Sequence, residues 1–302
     1  MTIDFFHMLS LEQVRMLVLS AELGSFSACA RKMGKVQSAV SHGISTLEID
    51  LGIELFDRSA RSPKLTPAGE RLIRSAKNLL AQADEFEKIA QSIERSEESQ
   101  LTIAIDDGVY NPKFADLFKR LDNQFPTIQI DVLSLASGDI SAEVANGDVD
   151  IGVMFTEFEQ LKQVDFCYVG SIDYLPVCHP NYPLADIDVE LQSDLAPFRQ
   201  LAIRGKSKVE SQALISIAPK VWWSSSHYSA LELVKQQVGW AYLPSFLVND
   251  SIKSGELHKI KVAFDHKPWN APVDLVFKKG RMHGPVFQWL FDELKQIFTP
   301  TT

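Results

Sequence analysis

The sequence is poor in cysteine, has no stretch of 18 apolar residues, and carries more acid than base, for a net charge of −9. Cys29, Cys167 and Cys178 are odd in number and scattered, so they form neither a zinc spacing nor a disulfide framework. The lack of a long apolar run excludes a membrane-spanning helix. The opening MTIDFFHMLSLEQ holds Asp4 and no basic lead into an apolar run, so no signal peptide is expected. A cytoplasmic protein without a membrane partner is the resulting expectation. Signatures of catalysis are missing too. There is no Gly-x-Ser-x-Gly, no glycine-rich phosphate loop and no His-x-x-x-His, and the histidines are dispersed. No enzyme activity, metal or cofactor is expected. At 302 residues the chain exceeds one ordinary core, so two or three domains are expected.

An acidic chain argues against a nucleic-acid partner, but the charge is unevenly placed. Residues 31–77 hold nine basic and five acidic groups, a local +4, while residues 99–302 sum to −7. Phosphate binding depends on the local patch. On charge alone, an ordinary solvated face is the plainer reading of that patch.

Residues 10–66 have the order of parts of a winged helix-turn-helix. Ser10 and Gln13 form a capping box ahead of Leu11, Val14, Leu17, Val18 and Ala21 at helical spacing. Gly24 ends that helix and Ser25 opens a short one from Phe26 to Met33. Gly34 makes a turn. A third helix from Gln37 or Ser38 to Leu51 places Val40, Ile44, Leu47 and Leu51 on one face. Gln37, Ser38, Ser41, His42 and Ser45 lie at its start or on its exposed side. Short hydroxyls and an amide at a helix N-terminus can approach phosphates and base edges. A solvent-facing helix capped by Ser38 is the plainer alternative.

Thr66-Pro67 starts a further helix. Leu72, Ala76, Leu79, Ala83, Phe86, Ala90 and Ile93 then step by four and three, a heptad seam of coiled-coil type. A helix from Pro67 to Ser96 would be about 45 Å long and would want a partner helix. ERSEESQ at 94–100 is a hinge candidate. From residue 101 strand and helix patterns alternate. Strands are expected at Leu101–Ile105, Ile128–Val132, Asp150–Met154, Phe166–Val169, Tyr174–Cys178, Arg199–Ile203, 239–244, Leu257–Phe264 and Pro272–Phe277. Helices are expected at Pro112–Phe125, Ile140–Ala145, Tyr228–Gln237 and Pro285–Phe298. This order implies α/β structure with a mainly parallel sheet.

The segments SFSACARKM, VQSAVSHGISTLEIDLGIELFDR and KLTPAGERL resemble the N-terminal signature of the LysR-type transcriptional regulators. FPTIQIDVLSLASGDISAEVANGDVDIGV is similar to that family's effector domain. Ser38, Cys29 and the helix-interior Gly43 depart from the usual pattern. Gly43 should cost roughly 1 kcal/mol against alanine.

The resemblance implies three parts. Residues 1–66 would be an all-α winged DNA-binding domain, and 67–98 a linker and dimerisation helix. Residues 99–302 would be a two-lobed α/β effector domain like the periplasmic binding proteins, with lobe I at 101–169 plus 269–302 and lobe II at 170–268. The implied partners are operator DNA, a small effector of unknown identity, and further copies as a homodimer or homotetramer; RNA polymerase is a candidate partner. Ser25, Gln37, Ser38, Ser41, His42, Ser45, Arg58, Arg61 and Lys64 are the implied DNA contacts, with Arg58 entering a minor groove.

The effector cleft would be lined by Asp106, Asp107, Gly108, Ser137, Gly138, Phe155, Thr156 and Ser224, Ser225 and Ser226. Two adjacent acids would repel an anion and favour a cation or a donor-rich neutral ligand. Alternatively one acid caps the helix near Asn111-Pro112 and the other faces solvent. Trp222 and Trp223 read as core rather than pocket wall. Cys167 and Cys178 read as buried structural residues, with an oxidant-sensing pair as the alternative.

Overall fold

A computed structural model describes residues 9–57, 59, 62–157, 162–208, 210, 216–264, 267–280 and 282–298. The chain divides at Arg95/Ser96 into two compact units.

The first unit is built from α1 (Leu11–Leu23), α2 (Phe26–Met33), α3 (Gln37–Leu51), the two-residue strands β1 (Phe56–Asp57) and β2 (Lys64–Leu65), and α4 (Pro67–Glu94). The local signals act as expected. Ser10 and Gln13 form a reciprocal capping box, and Ser25 accepts from the Ala28 amide. Gly24 and Gly34 end their helices in the left-handed region. Val14, Leu17, Val18, Cys29, Ala30, Val40, Ile44 and Leu47 make one core, and burying such side chains is its main source of stability. Gly43 lies where α3 crosses α1: a Cβ there would stand 2.5 Å from the Met16 sulfur.

The first unit does not stop at residue 66. Ala76 belongs to the same core, with Leu72, Ile73 and Leu80 packed against it. Leu72 and Ala76 therefore close the helical domain and are not part of a free seam. The apolar stripe that remains open on α4 begins with Leu79 and continues through Phe86, Ile89 and Ile93, of which Phe86 is 74% and Ile93 71% exposed.

The second unit contains β3 (Gln100–Ile105), α5 (Lys113–Gln124), β4 (Gln129–Ser134), α6 (Ser137–Asn146), β5 (Ile151–Phe155) and β6 (Val164–Cys178), then β7 (Gln200–Ile203), β8 (Val221–Ser224) and α7 (His227–Lys235). It closes with β9 (Ala241–Pro244), α8 (Ser245–Ser254), β10 (His258–Lys259), β11 (Trp269–Lys278) and α9 (Pro285–Ile297). The main sheet runs β10-β6-β11-β5-β3-β4, with β9 also on β6; β7 and β8 form a separate parallel pair.

Only β4-β3-β5 is parallel within the main sheet, because β11 returns antiparallel to both β5 and β6. The expected mainly parallel sheet is thus a mixed one. The expected strands at 166–169 and 174–178 are one strand of 15 residues. Gly170, at φ 148, lets it pass beneath Phe298 without a break. A register shift opposite Val273/Asp274 bends the pair there.

Lobe I is organised on Ile103, Ile105, Phe114, Val153, Phe155, Val273 and Leu290, and its core reaches Ile172 and Tyr174. The lobe boundary therefore falls later in β6 than residue 169. Lobe II is organised on Val177, Leu201, Leu231, Leu243 and Val248, with a second cluster around Trp240. Trp222 and Trp223 are not core. Trp222 is 51% exposed under the Arg199 guanidinium at 4.0 Å, and Trp223 lies under Arg204 at 4.4 Å. They sit on β8, which among the described residues pairs with β7 in a two-stranded sheet.

Candidate functional site

In the first unit the candidate surface is α3 and the hairpin after it. Val36 precedes α3 with no side-chain cap, so the first-turn amides lack a side-chain acceptor. Ser38 does not cap the helix: it lies inside the first turn, exposed together with Gln37 and His42. Ser41 and Ser45 are half-buried, and the Ser45 hydroxyl donates to the Ser41 carbonyl oxygen at 2.9 Å. The Ser25 hydroxyl is engaged as the α2 cap. Lys64 is exposed on β2, paired in register with Asp57 on β1. Arg58 and Arg61 lie outside the described residues.

One positioning residue was not singled out for a role in the sequence. The Glu48 carboxylate accepts from the Leu55 and Phe56 amides at 2.8 and 3.1 Å, tying the hairpin to α3. Thr66 completes that joint, donating to the Glu54 carbonyl and accepting from the Gly69 amide.

In the second unit the carboxyl ends of β3 and β5 meet the N-termini of α6 and α7. Asp106 is 2% exposed. Its Oδ2 accepts from the Ser137 amide at 2.7 Å and the Ser137 hydroxyl at 2.6 Å, and its Oδ1 from the Gly108 amide at 2.9 Å. Ser137 in turn accepts from the Phe155 amide. Asp107 crosses to lobe II. Its carboxylate accepts from the Ser226 hydroxyl at 2.5 Å, the His227 amide at 2.9 Å and His227 Nδ1 at 2.6 Å.

The ring of His227 is wholly buried, and its Nε2 lies 2.9 Å from the Tyr174 hydroxyl. With Nδ1 against Asp107 and Nε2 against Tyr174, both ring nitrogens are engaged inside the protein. A Cβ on Gly108 would overlap both the His227 ring and the Tyr174 hydroxyl, so this packing requires glycine.

The cap-and-solvent reading of the acid pair needs correction. Neither acid caps the helix after Pro112: Asn111 accepts from the Lys113 amide instead. Neither faces solvent as a free charge. Burial pushes the Asp106 carboxyl up, against the opposing effects of His227 and Ser137. For Asp107 burial also acts upward, but the hydrogen bonds and charge of His227, with Ser226, outweigh it and hold the carboxyl below its usual range. Burial, then the nearby Asp106 and Asp107, raises Tyr174 well above an ordinary phenol, so it stays a proton donor.

A second tie spans the lobes. Asp139, in the first turn of α6, accepts from the Lys206 and Ser207 amides at 2.6 and 2.9 Å. Burial acts upward on this carboxyl, and Ser207 and Lys206 outweigh it to lower it. The structure thus brings Asp106, Asp107, Gly108, Ser137, Phe155 and Ser226 together, with Asp139, Tyr174 and His227 added. Sequence reasoning misses Asp139 and Tyr174 because their partners lie in distant segments, and it places His227 only within the 224–228 loop expected at the cleft, without a role. Ser224 is engaged within its own turn, its hydroxyl donating to the Ser226 carbonyl; Ser225 is exposed. Gly138 and Thr156 are half-buried. The donor atoms of Asp106, Asp107 and His227 lie within 4.8 Å of one another. Each of the three is already engaged by the bonds above.

The cysteines do not pair. Cys167 and Cys178 lie on the same strand, eleven positions apart, which is about 36 Å of extended chain. Burial, with Asp186, pushes the Cys178 thiol up to about 12.

Comparison with known proteins agrees with both units. Residues 11–70 match the bacterial regulatory helix-turn-helix protein, lysR family, and residues 94–299 match the LysR substrate binding domain. The transcriptional regulator AceR of Acinetobacter baumannii is 27% identical over 285 residues, covering 94% of this chain and 96% of that protein. The virulence regulator MvfR of Pseudomonas aeruginosa is 27% identical over 249 residues, 82% of this chain and 74% of that one.

Among solved structures, CrgA of Neisseria meningitidis superposes with a TM-score of 0.54 at 20% identity, over 96% of this chain and 99% of that chain. LysG of Corynebacterium glutamicum, titled as carrying a bound effector Arg, superposes with a TM-score of 0.50 at 20% identity, over 95% and 97% of the two chains. With a helix-turn-helix followed by a two-lobed domain, each matched over nearly its whole length, the chain belongs to the LysR family of DNA-binding, effector-controlled transcriptional regulators.

Proposed function

We propose that the chain reads an operator with α3 and its hairpin, and that a small cationic or donor-rich neutral effector, acting at the cleft between the lobes, sets that binding. The observation that carries this reading is the set of acids at the cleft. Asp106, Asp107 and Asp139 come from lobe I, and the last two already hold the donors that lobe II offers. An anionic effector would meet both charge repulsion and engaged donors there. A cation or a hydroxyl-bearing ligand would find acceptors.

DNA contact is assigned to Gln37, Ser38, Ser41, His42, Ser45, Ser25 and Lys64, with Arg58 and Arg61 from the segment after β1. The uncapped start of α3 supports a phosphate contact there. Leu79, Phe86, Ala83, Ala90 and Ile93 are assigned to pairing between copies. No cofactor, metal or catalytic step is assigned, and the protein is placed in the cytoplasm. The Asp107–His227–Tyr174 chain resembles a proton relay, yet His227 and Tyr174 are both wholly buried, which gives a substrate no approach.

The test uses the full chain. Duplexes are selected from a randomised pool, and the enriched site is titrated by fluorescence anisotropy with amines and polyamines, neutral sugars and aromatics, carboxylates and mild oxidants. Enrichment of a two-half-site duplex, with affinity moved by an amine or neutral ligand, is the expected result. Response to carboxylates alone would overturn the assigned charge class. Response to oxidants alone would favour a redox sensor, a reading the separated cysteines do not support.

A further inference from the structure

We propose that Asp107 is a tethered internal ligand of lobe II: its carboxylate fills the anion seat at the start of α7 and thereby decides which effectors the cleft can take. This deepens, and rests on, the reading of the cleft as the effector site.

The seat is defined by its donors. The Ser226 hydroxyl, the His227 amide and His227 Nδ1 converge on one carboxylate, at 2.5, 2.9 and 2.6 Å. The same serine hydroxyl is the N-cap of α7, 3.4 Å from the Ser229 amide, so the seat is also the positive end of a nine-residue helix. Such convergent donors at a helix start favour an anion. The anion present belongs to the chain itself, 120 residues away in sequence, at the end of a lobe I strand.

The surroundings fit that role. Gly108 clears the space through which the His227 ring reaches the acid, and Tyr174 holds the far ring nitrogen. Asp139 repeats the arrangement beside the cleft, joining lobe I to the Lys206 and Ser207 amides. Both acids that bridge the lobes are held below their usual pKa range, as expected for carboxylates that are bound while charged.

Two consequences follow from one geometry. A carboxylate effector must displace a carboxylate whose effective concentration is that of an intramolecular group, so it competes poorly. A ligand acting at this seat succeeds by drawing Asp107 away, as a cation does. Removing the Asp107 side chain should convert the seat into a site for a small free carboxylate.

The experiment is thermal unfolding of full-length wild type and Asp107→Gly, in formate or acetate against chloride at matched ionic strength and neutral pH. The expected result is a lowered midpoint for the variant in chloride. Formate should recover it by a few degrees, with a dependence that saturates, while wild type gains no more than a degree or so from the same salt. Asp107→Ser, which retains a polar side chain, should show a smaller recovery with formate and none with the larger acetate.

If Asp107→Gly fails to fold in chloride, the yield of refolded protein in formate against chloride replaces the midpoint, and a higher yield in formate supports the seat. Equal response of wild type and variants to formate, or no response in either variant, overturns the proposal: Asp107 would then be merely structural. DNA is not involved, so this result is independent of whether the operator test succeeds.

Discussion

His227 Nδ1 lies 2.6 Å from Oδ1 of Asp107, and its other nitrogen lies 2.9 Å from the Tyr174 hydroxyl. One imidazole thus joins the end of β3, the start of α7 and the long strand β6. Three segments meet at a ring with no exposed surface.

That contact has a signed dependence on pH. The Asp107 carboxyl is held below its unfolded value, so its contribution to stability is complete above that value and is lost as pH falls through the lower, folded one. Asp107→Asn retains the shape and loses the charge. The stability gap between wild type and Asp107→Asn should be widest near neutral pH and should narrow below about pH 4, the ordinary carboxylate value. Urea unfolding of the full chain from pH 3 to 7 measures the gap. A gap that widens in acid would contradict the assigned charge state.

Two glycines in the first unit separate backbone from side-chain obstruction. A Cβ at Gly69 would collide with the carbonyl oxygen of Leu55, which is fixed backbone at the joint of hairpin and α4. Gly69→Ala should destabilise the unit by about 1–3 kcal/mol. At Gly43 the obstruction is the Met16 thioether, the end of a flexible side chain. Gly43→Ala should fall within about 1 kcal/mol of wild type, because the gain in helix propensity offsets the crowding. Chemical denaturation of the two variants tests this order.

These contrasts show which parts of the fold a sequence carries locally. Ser10 with Gln13, Thr66 with Pro67, and the left-handed Gly24 and Gly34 act within four residues, so the first unit's helices were legible. Residues 166–178 read as two strands in the sequence, whereas Gly170, packed under Phe298, carries β6 through as one. α8 was overlooked because it follows Pro244 with no side-chain cap. Trp222 reads as core in the sequence because nothing local says that β8 belongs to a two-stranded sheet. Asp106 and Asp107 were recognised as important, but their partners lie 31 and 120 positions away. Burial and hydrogen bonding there are products of topology, not of local pattern.

The wing arginine is testable from sequence alone. Arg58 stands in the resembled signature at a minor-groove position. Arg58→Ala should weaken operator binding at least about tenfold, a single good contact being worth roughly 1–3 kcal/mol. It should leave the circular dichroism spectrum and melting midpoint unchanged. Equal affinity at matched salt would remove Arg58 from the contact set.

The heptad of α4 predicts opposite outcomes at its two ends. Ala76 is buried in the helical core and Leu72 packs on it, whereas Phe86 and Ile93 are among the most exposed large apolar side chains described. Such a stripe on a 28-residue helix is covered when copies associate. Phe86→Asp places a charge in that stripe without touching the unit's own core. It should lower the oligomeric state in light scattering while the melting of the first unit shifts little. Ala76→Asp buries an unpaired charge and should unfold the first unit outright. A Phe86→Asp protein that keeps its full oligomer would move the interface off this stripe. Equal damage from both substitutions would mean that folding of the first unit and association of copies form a single transition.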